Sequence, residues 1–296
     1  PAVGPMLTVG RRGLVAAAGN ATAASRFVYA IGGDNGAVAG AMTSVEFAPV
    51  DPFGRIGAFA VQPYSLATPR TLAGGTTIGR YIYVVGGNSG AGPVATAERA
   101  LILSPREAPR VTDLDVALRP TGLAPGRYHY RVAAVFTAAD TDNPGGESLP
   151  SDAFSIKLPA IAGKKIAVTL VWKAPVDALG APLAGVNGYR VYRTTSADDP
   201  PGSEVLIKSI AGAGTLIFAD DGSAVPGAET PLPTGSTGAW LTLPKLATKR
   251  SGLAVTAGND PANPAVFYVY ALLGKSAAAT AVSSYEYLPV IIPARN

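Results

Sequence analysis

Apolar residues alternate with polar or small ones in short runs along the whole chain, and the runs end at Gly, Pro, Asn or Asp. Alternation over four to eight residues is the pattern of half-buried strands, and no stretch shows the 3.6-residue recurrence of an amphipathic helix. The pattern predicts an all-β protein. Three of the runs are alike: Phe27-Val28-Tyr29-Ala30-Ile31-Gly32-Gly33, Tyr81-Ile82-Tyr83-Val84-Val85-Gly86-Gly87 and Tyr268-Val269-Tyr270-Ala271-Leu272-Leu273-Gly274. Arg12, Arg70 and Arg250 precede them, and Glu46, Glu98 and Glu286 follow 11 to 13 residues after the last glycine. Self-similarity on this scale means stacked supersecondary units, none of which buries its apolar face alone. Gly33, Gly87 and Gly274 suit a chain leaving a strand with φ > 0, which costs glycine little. A charged pair that recurs once per unit has a structural duty. The expectation is a partly buried contact of each arginine with a carboxylate or carbonyl, for which a guanidinium suits better than an ammonium.

These segments resemble kelch repeats, in which an arginine opens the inner strand, a Tyr-x-x-Gly-Gly strand follows and a third strand carries a Val-Glu-like pair. The resemblance covers roughly 1–104 and 238–296, and the third copy departs from it with Leu273 in place of the first glycine. It implies four-stranded blades of a β-propeller. Propellers have four to eight blades, so three repeats imply partners: other copies of the chain, or the rest of a longer chain completing the ring. Residues 5–10 stand where an outer strand is expected, and Ile291-Ile292-Pro293 follows the last unit's third strand. The chain is therefore expected to begin with a blade's fourth strand and to lack that strand at its end, leaving unpaired edges.

The spacing of the repeats locates an insertion. Gly33 and Gly87 are 54 residues apart, whereas Gly87 and Gly274 are 187 apart, and removing 105–237 makes the intervals equal. Trp240-Leu241-Thr242-Leu243-Pro244, just before Arg250, reads as the second unit's outer strand displaced past the insertion. Within 105–237, Leu123-Ala-Pro-Gly-Arg-Tyr128 leads into an alternating strand; Ile166-Ala-Val-Thr-Leu-Val-Trp172 and Gly188-Tyr189-Arg190-Val191-Tyr192-Arg193 come later. These elements resemble those of a fibronectin type III domain. The resemblance implies a β-sandwich with Tyr128 as a corner tyrosine bonded back to the backbone, and with Trp172 and Tyr189 in the core. The order departs from that family: F-like (127–137) and G-like (147–158) strands precede B-like (165–174) and C-like (187–194) strands, and an E-like strand (215–220) comes last. A circular permutation at the E to F corner explains that order, and chain ends that lie close together suit insertion into a loop.

At 296 residues, 48% hydrophobic and 15% charged, the chain can bury one large or two medium cores, and its 35 Gly and 26 Pro match many short strands and tight turns. Net charge is +4, but the basic residues are scattered, with no basic stripe interleaved with aromatics, so nucleic acid is not an expected partner. No apolar run reaches the ~18 residues of a membrane-spanning helix. Cysteine is absent, which removes disulfide and thiolate chemistry. The composition suits an extracellular, cell-surface or virion protein.

Candidate chemistry is sparse. The one histidine, His129, lies between two tyrosines on an alternating strand and reads as structural, since a triad would need it faced by a nucleophile and an acid. Asp140, Asp142, Asn143 and Glu147 offer hard oxygens of the kind Ca²⁺ takes, but miss the EF-hand spacing, and the same residue types make ordinary turns. No cofactor is called for. The expectation is a non-catalytic structural and interaction protein with protein partners and glycan as a further ligand class. Its alternatives are a carbohydrate-active propeller hydrolase with converging acids and a glycan-binding module with exposed aromatics.

Overall fold

The computed structural model describes residues 4–37, 40–278 and 280–291. Apart from one 3₁₀ turn at Pro105–Glu107, every regular element among them is a strand. The chain divides into two compact units: Pro1–Leu103, Thr141–Pro144 and Gly235–Asn296 form the first, and Ser104–Asp140 with Gly145–Thr234 the second.

In the first unit, β1 (Val15–Thr22), β2 (Ser25–Ile31), β3 (Val45–Val50) and β4 (Ala60–Val61) make one antiparallel sheet in chain order. The next sheet holds β5 (Gly74–Ile78), β6 (Tyr81–Val85) and β7 (Ala97–Leu101). Its fourth strand arrives from beyond the insertion as Leu241–Leu243, β15 in chain order, with Thr242 opposite Glu98. The third sheet has three strands, β16 (Ala254–Asn259), β17 (Val266–Leu272) and β18 (Tyr285–Ile291).

Alternation along each strand sends successive side chains to opposite faces, and the two faces pack differently. Phe27, Tyr29, Ile31 and Phe47 of the first sheet share a core with Ile82, Val84, Ala100 and Ile102 of the second. The opposite face of the second sheet, with Tyr81, Tyr83, Val85 and Leu101, packs on Val269, Ala271 and Val290 of the third. Covered on both sides, β6 is buried at all five positions, which is why its sequence is a continuous apolar run. Each large side chain so buried stabilises the fold by about 1.5–3 kcal/mol. In β17 only Val269 and Ala271, on one face, are buried.

The second unit has seven strands: β8 (Arg110–Arg119), β9 (Gly126–Phe136), β10 (Phe154–Leu158), β11 (Lys165–Lys173), β12 (Val186–Arg193), β13 (Val205–Ala211) and β14 (Ile217–Asp220). They form a four-stranded sheet ordered β10-β9-β12-β13 and a three-stranded sheet ordered β14-β11-β8. Inward side chains of both sheets, among them Tyr130, Val132, Leu170, Trp172, Tyr189 and Val191, share one core.

Three expectations change. The boundaries 105–237 are too wide: residues 235–237 bond to the first unit through Leu103 N–H on the Ser236 carbonyl and an Ile102–Thr237 bridge, and 141–144 belongs there too. The five-strand order beginning at 127 omits β8, which pairs with β11 along its whole length, and also omits β13. Most of β8 is exposed, so it carries little apolar alternation to read. Residues 5–10 form no strand; the first sheet's fourth strand is β4. Ile292 and Pro293 lie outside the described residues.

Candidate functional site

Three equivalent braces hold the first unit. In the second sheet Arg70 Nη1 donates to the carbonyls of Gly86 and Thr96, both at 2.9 Å, while Nη2 donates to Thr96 Oγ1 at 3.0 Å and to the Glu98 carboxylate. Glu98 also accepts from the amides of Ala67 and Thr68, at 2.7 and 3.1 Å. Arg250 repeats this on Leu273, Ser284 and Glu286, and the amides of Ala247 and Thr248 complete its carboxylate. In the first sheet the brace is Arg11, not Arg12. Arg11 bonds the carbonyls of Gly32 and Ser44 and pairs with Glu46 at 2.5 Å, with Thr8 and Val9 on the same carboxylate. The Arg12 side chain is 80% exposed and reaches only Asp34, at 3.5 Å.

Both side chains of the Arg11–Glu46 and Arg70–Glu98 pairs are out of solvent. Such burial is tolerable only because nearly every donor and acceptor is matched. Burial pushes the Glu46 carboxyl up, but the Thr8 and Val9 amides and the Arg11 charge outweigh it and hold the group below its ordinary range. The hydroxyls of Ser44, Thr96 and Ser284, which accept from each Nη2, belong to the brace and were not among the expected residues. Their constant place two residues before each glutamate is the signal that marks them.

The same arginines join neighbouring sheets. Gly33 N–H donates to the Arg70 carbonyl and Gly87 N–H to the Arg250 carbonyl, both at 2.9 Å. The residue before each of these glycines, Gly32 or Gly86, has φ of 61° or 63°. A Cβ there would lie 2.5 Å from the Arg70 carbonyl oxygen or 2.8 Å from that of Arg250, so glycine is required by close approach as well as by φ. At the equivalent place Leu273 holds φ 57° with its side chain half in solvent, and Gly274 follows.

The proposed cation ligands do not converge. Asp142 accepts from the Tyr81 hydroxyl at 2.8 Å and Asn143 Oδ1 from the Ala239 amide at 2.8 Å, both in the first unit. Glu147, in the second, accepts from the Tyr192 hydroxyl at 2.5 Å and from Arg190 at 3.0 Å. Asp140 lies beside Gly185. Among the described residues no three such groups gather as metal ligands would. The sequence brings these residues within eight positions, but Asp142, Asn143 and Glu147 are each taken up by a separate partner.

The second unit's expected core residues are all inside. Tyr128 is buried, and the Arg193 guanidinium lies 5.7 Å from its ring centre. Trp172 meets Tyr189 edge-on at 5.3 Å, and the Tyr189 hydroxyl donates to the Ala213 carbonyl at 3.0 Å. Beside them Asp220 takes Arg193 at 2.5 Å and the Tyr130 hydroxyl at 2.9 Å. Burial raises the Glu147 pKa, opposed by Tyr192 and Arg190, but both carboxylate oxygens are engaged and a single guanidinium nitrogen also holds Glu229 at 2.7 Å. That arrangement locks a fold rather than offering an acid to a substrate. His129 is buried, with Nδ1 2.6 Å from Ser155 Oγ across the β9–β10 pair, and among the described residues no carboxylate bonds its ring. A triad needs the acid on the nitrogen remote from the serine.

No family model matches the chain, and no curated protein matches it either.

The remaining feature is a face. Tyr268, Tyr270 and Tyr287 cluster on the third sheet with ring centres 5.6–6.2 Å apart, on the side that carries no neighbouring sheet among the described residues. Tyr285 and Tyr287 are 64% and 60% exposed. The matching positions of the first two sheets, Tyr29 and Tyr83, are buried.

Proposed function

We propose that this protein is a non-catalytic structural and interaction protein of a cell-surface, extracellular or virion assembly. Kelch-like blades form its scaffold, and a fibronectin type III-like sandwich is carried as a second contact module. The observation that carries this reading is the uncovered tyrosine face of the third repeat. Contiguous exposed aromatic surface of this kind marks a contact site, and tyrosine supplies large contact area at little entropic cost. The recurring Arg–Glu pairs, by contrast, form braces that repeat once per sheet, whereas a catalytic group is needed once.

The test is sedimentation equilibrium of the whole chain and of Tyr287→Lys, alongside a screen for reducing-sugar release from soluble polysaccharides. Association that Tyr287→Lys abolishes, without sugar release, supports the reading. Turnover of any polysaccharide, or association indifferent to the substitution, contradicts it.

A further inference from the structure

The joints between the three repeats follow one rule. From the first repeat to the second, Leu66 N–H donates to the Thr43 carbonyl, Arg70 N–H to Met42, and Leu72 N–H to Gly13, while Gly33 N–H donates back to Arg70. From the second to the third, Leu246 donates to Ala95, Arg250 to Val94, and Gly252 to Leu72, while Gly87 donates back to Arg250. Residue for residue, the third repeat presents the next set: the carbonyls of Ser283, Val282 and Gly252 and the amide of Gly274. The first repeat presents the other half: the amides of Leu7, Arg11 and Gly13 and the carbonyl of Arg11. Among the described residues none of these eight groups has a hydrogen-bond partner.

The apolar surfaces match in the same way. At each internal joint an aromatic face meets a face of small and aliphatic residues. At the open ends the tyrosine face of the third sheet would meet the face of the first that bears Ala16 and Ala18, both exposed, and Val28. Met6, 84% exposed, lies beside Leu7 at the same end.

On the reading of the tyrosine face as a contact surface, we infer that its occupant is a second copy of this chain, docked head to tail through that copy's first repeat. Such a contact is heterologous and continues to a ring or a filament. One residue weakens it. Leu273 places a Cβ where Gly32 and Gly86 leave room for the incoming arginine carbonyl, so the joint between copies forms with that carbonyl displaced and is looser than the joints within the chain.

The contact predicts a cross-link. At the internal joints Val15 faces Gly75 and Gly74 faces Val255, with Cβ separations of 3.6 and 2.9 Å once a Cβ is built on each glycine. The third repetition of that pair is Ala254 of one copy with Ala16 of the next, close to the ~3.8 Å that a disulfide needs. The chain has no cysteine, so any disulfide reports the engineered pair. The experiment mixes Ala16→Cys protein with Ala254→Cys protein under mild oxidation. Separately, sedimentation equilibrium compares Leu273→Gly with the unaltered chain.

The expected results are a mixed disulfide in excess of both like-with-like products, and association about ten-fold tighter for Leu273→Gly, since an overpacked contact is relieved. Like-with-like products alone, or unchanged affinity in Leu273→Gly, overturns the inference. If association remains sensitive to Tyr287→Lys while the mixed disulfide is absent, the face is a contact surface but its occupant is not a second copy in this orientation. If the chain does not associate at all, both readings fall.

Discussion

The second repeat and the third share three strands, the same brace and the same aromatic positions, yet one is closed on both faces and the other on one. Tyr83 in β6 is buried under the third sheet; Tyr270 in β17 is only partly covered. The difference follows from what stands next to each sheet and from one residue at the joint. Gly86 leaves room for the Arg250 carbonyl at close range, whereas Leu273 occupies the same backbone conformation with a side chain. A repeat protein is a series of nearly identical interfaces, so its stability is set by the quality of each joint and its associations by the joint left open.

The largest effect is expected from the brace. Arg70→Ala strips the buried Glu98 carboxylate of its guanidinium, leaving it only the Ala67 and Thr68 amides, and takes the arginine donor from the Gly86 carbonyl, which should lower stability by about 3–5 kcal/mol in urea unfolding. Arg12→Ala, outside the brace, should change it by no more than ~0.5 kcal/mol. Equal losses would mean that the brace does not distinguish the two arginines.

Placing the third repeat's chemistry in the second comes next. Gly86→Ala forces a Cβ to within 2.8 Å of the Arg250 carbonyl oxygen at positive φ and should cost about 1–3 kcal/mol. The reverse substitution sharpens the contrast: Leu273→Gly relieves a left-handed leucine and should raise stability by about 1 kcal/mol, visible as a higher urea midpoint. A loss of stability in Leu273→Gly would show that the leucine side chain contributes packing that outweighs its strain.

Acid should reveal the first brace with a smaller amplitude. The folded-state pKa of Glu46 lies below its unfolded value, so its ionisation stabilises the fold above the ordinary carboxylate range, and this contribution is lost as pH falls through the folded-state value. Glu46→Gln should therefore flatten the decline of stability below about pH 4.5, the unfolded range for glutamate. An unchanged acid limb would place the controlling carboxylates elsewhere.

The strands richest in β-branched and aromatic residues, and the displaced Leu241–Leu243, could be read because apolar alternation and glycine punctuation are local signals. The brace was legible in kind, but at the first repeat Arg11 and Arg12 are adjacent, and nearness to the strand points to Arg12. The register that settles it is the leucine four residues upstream: Leu7 to Arg11, Leu66 to Arg70 and Leu246 to Arg250. β8 escaped because its exposed edge position leaves little alternation, and the division at 141–144 escaped because it depends on tertiary partners such as Tyr81 for Asp142. The open face was not legible at all, since the third repeat's tyrosines have the same spacing as the buried ones and only neighbouring sheets distinguish them.

Hydrogen exchange at three equivalent amides, Gly33, Gly87 and Gly274, tests the account most directly. In dilute protein Gly33 and Gly87, each bonded to the next repeat's arginine carbonyl, should exchange slowly and Gly274 fast; at high concentration Gly274 should slow towards that pair without reaching it, as a second copy brings up its displaced Arg11 carbonyl. Protection of Gly274 in dilute protein equal to that of Gly33, or fast exchange of Gly274 at every concentration, would contradict the account.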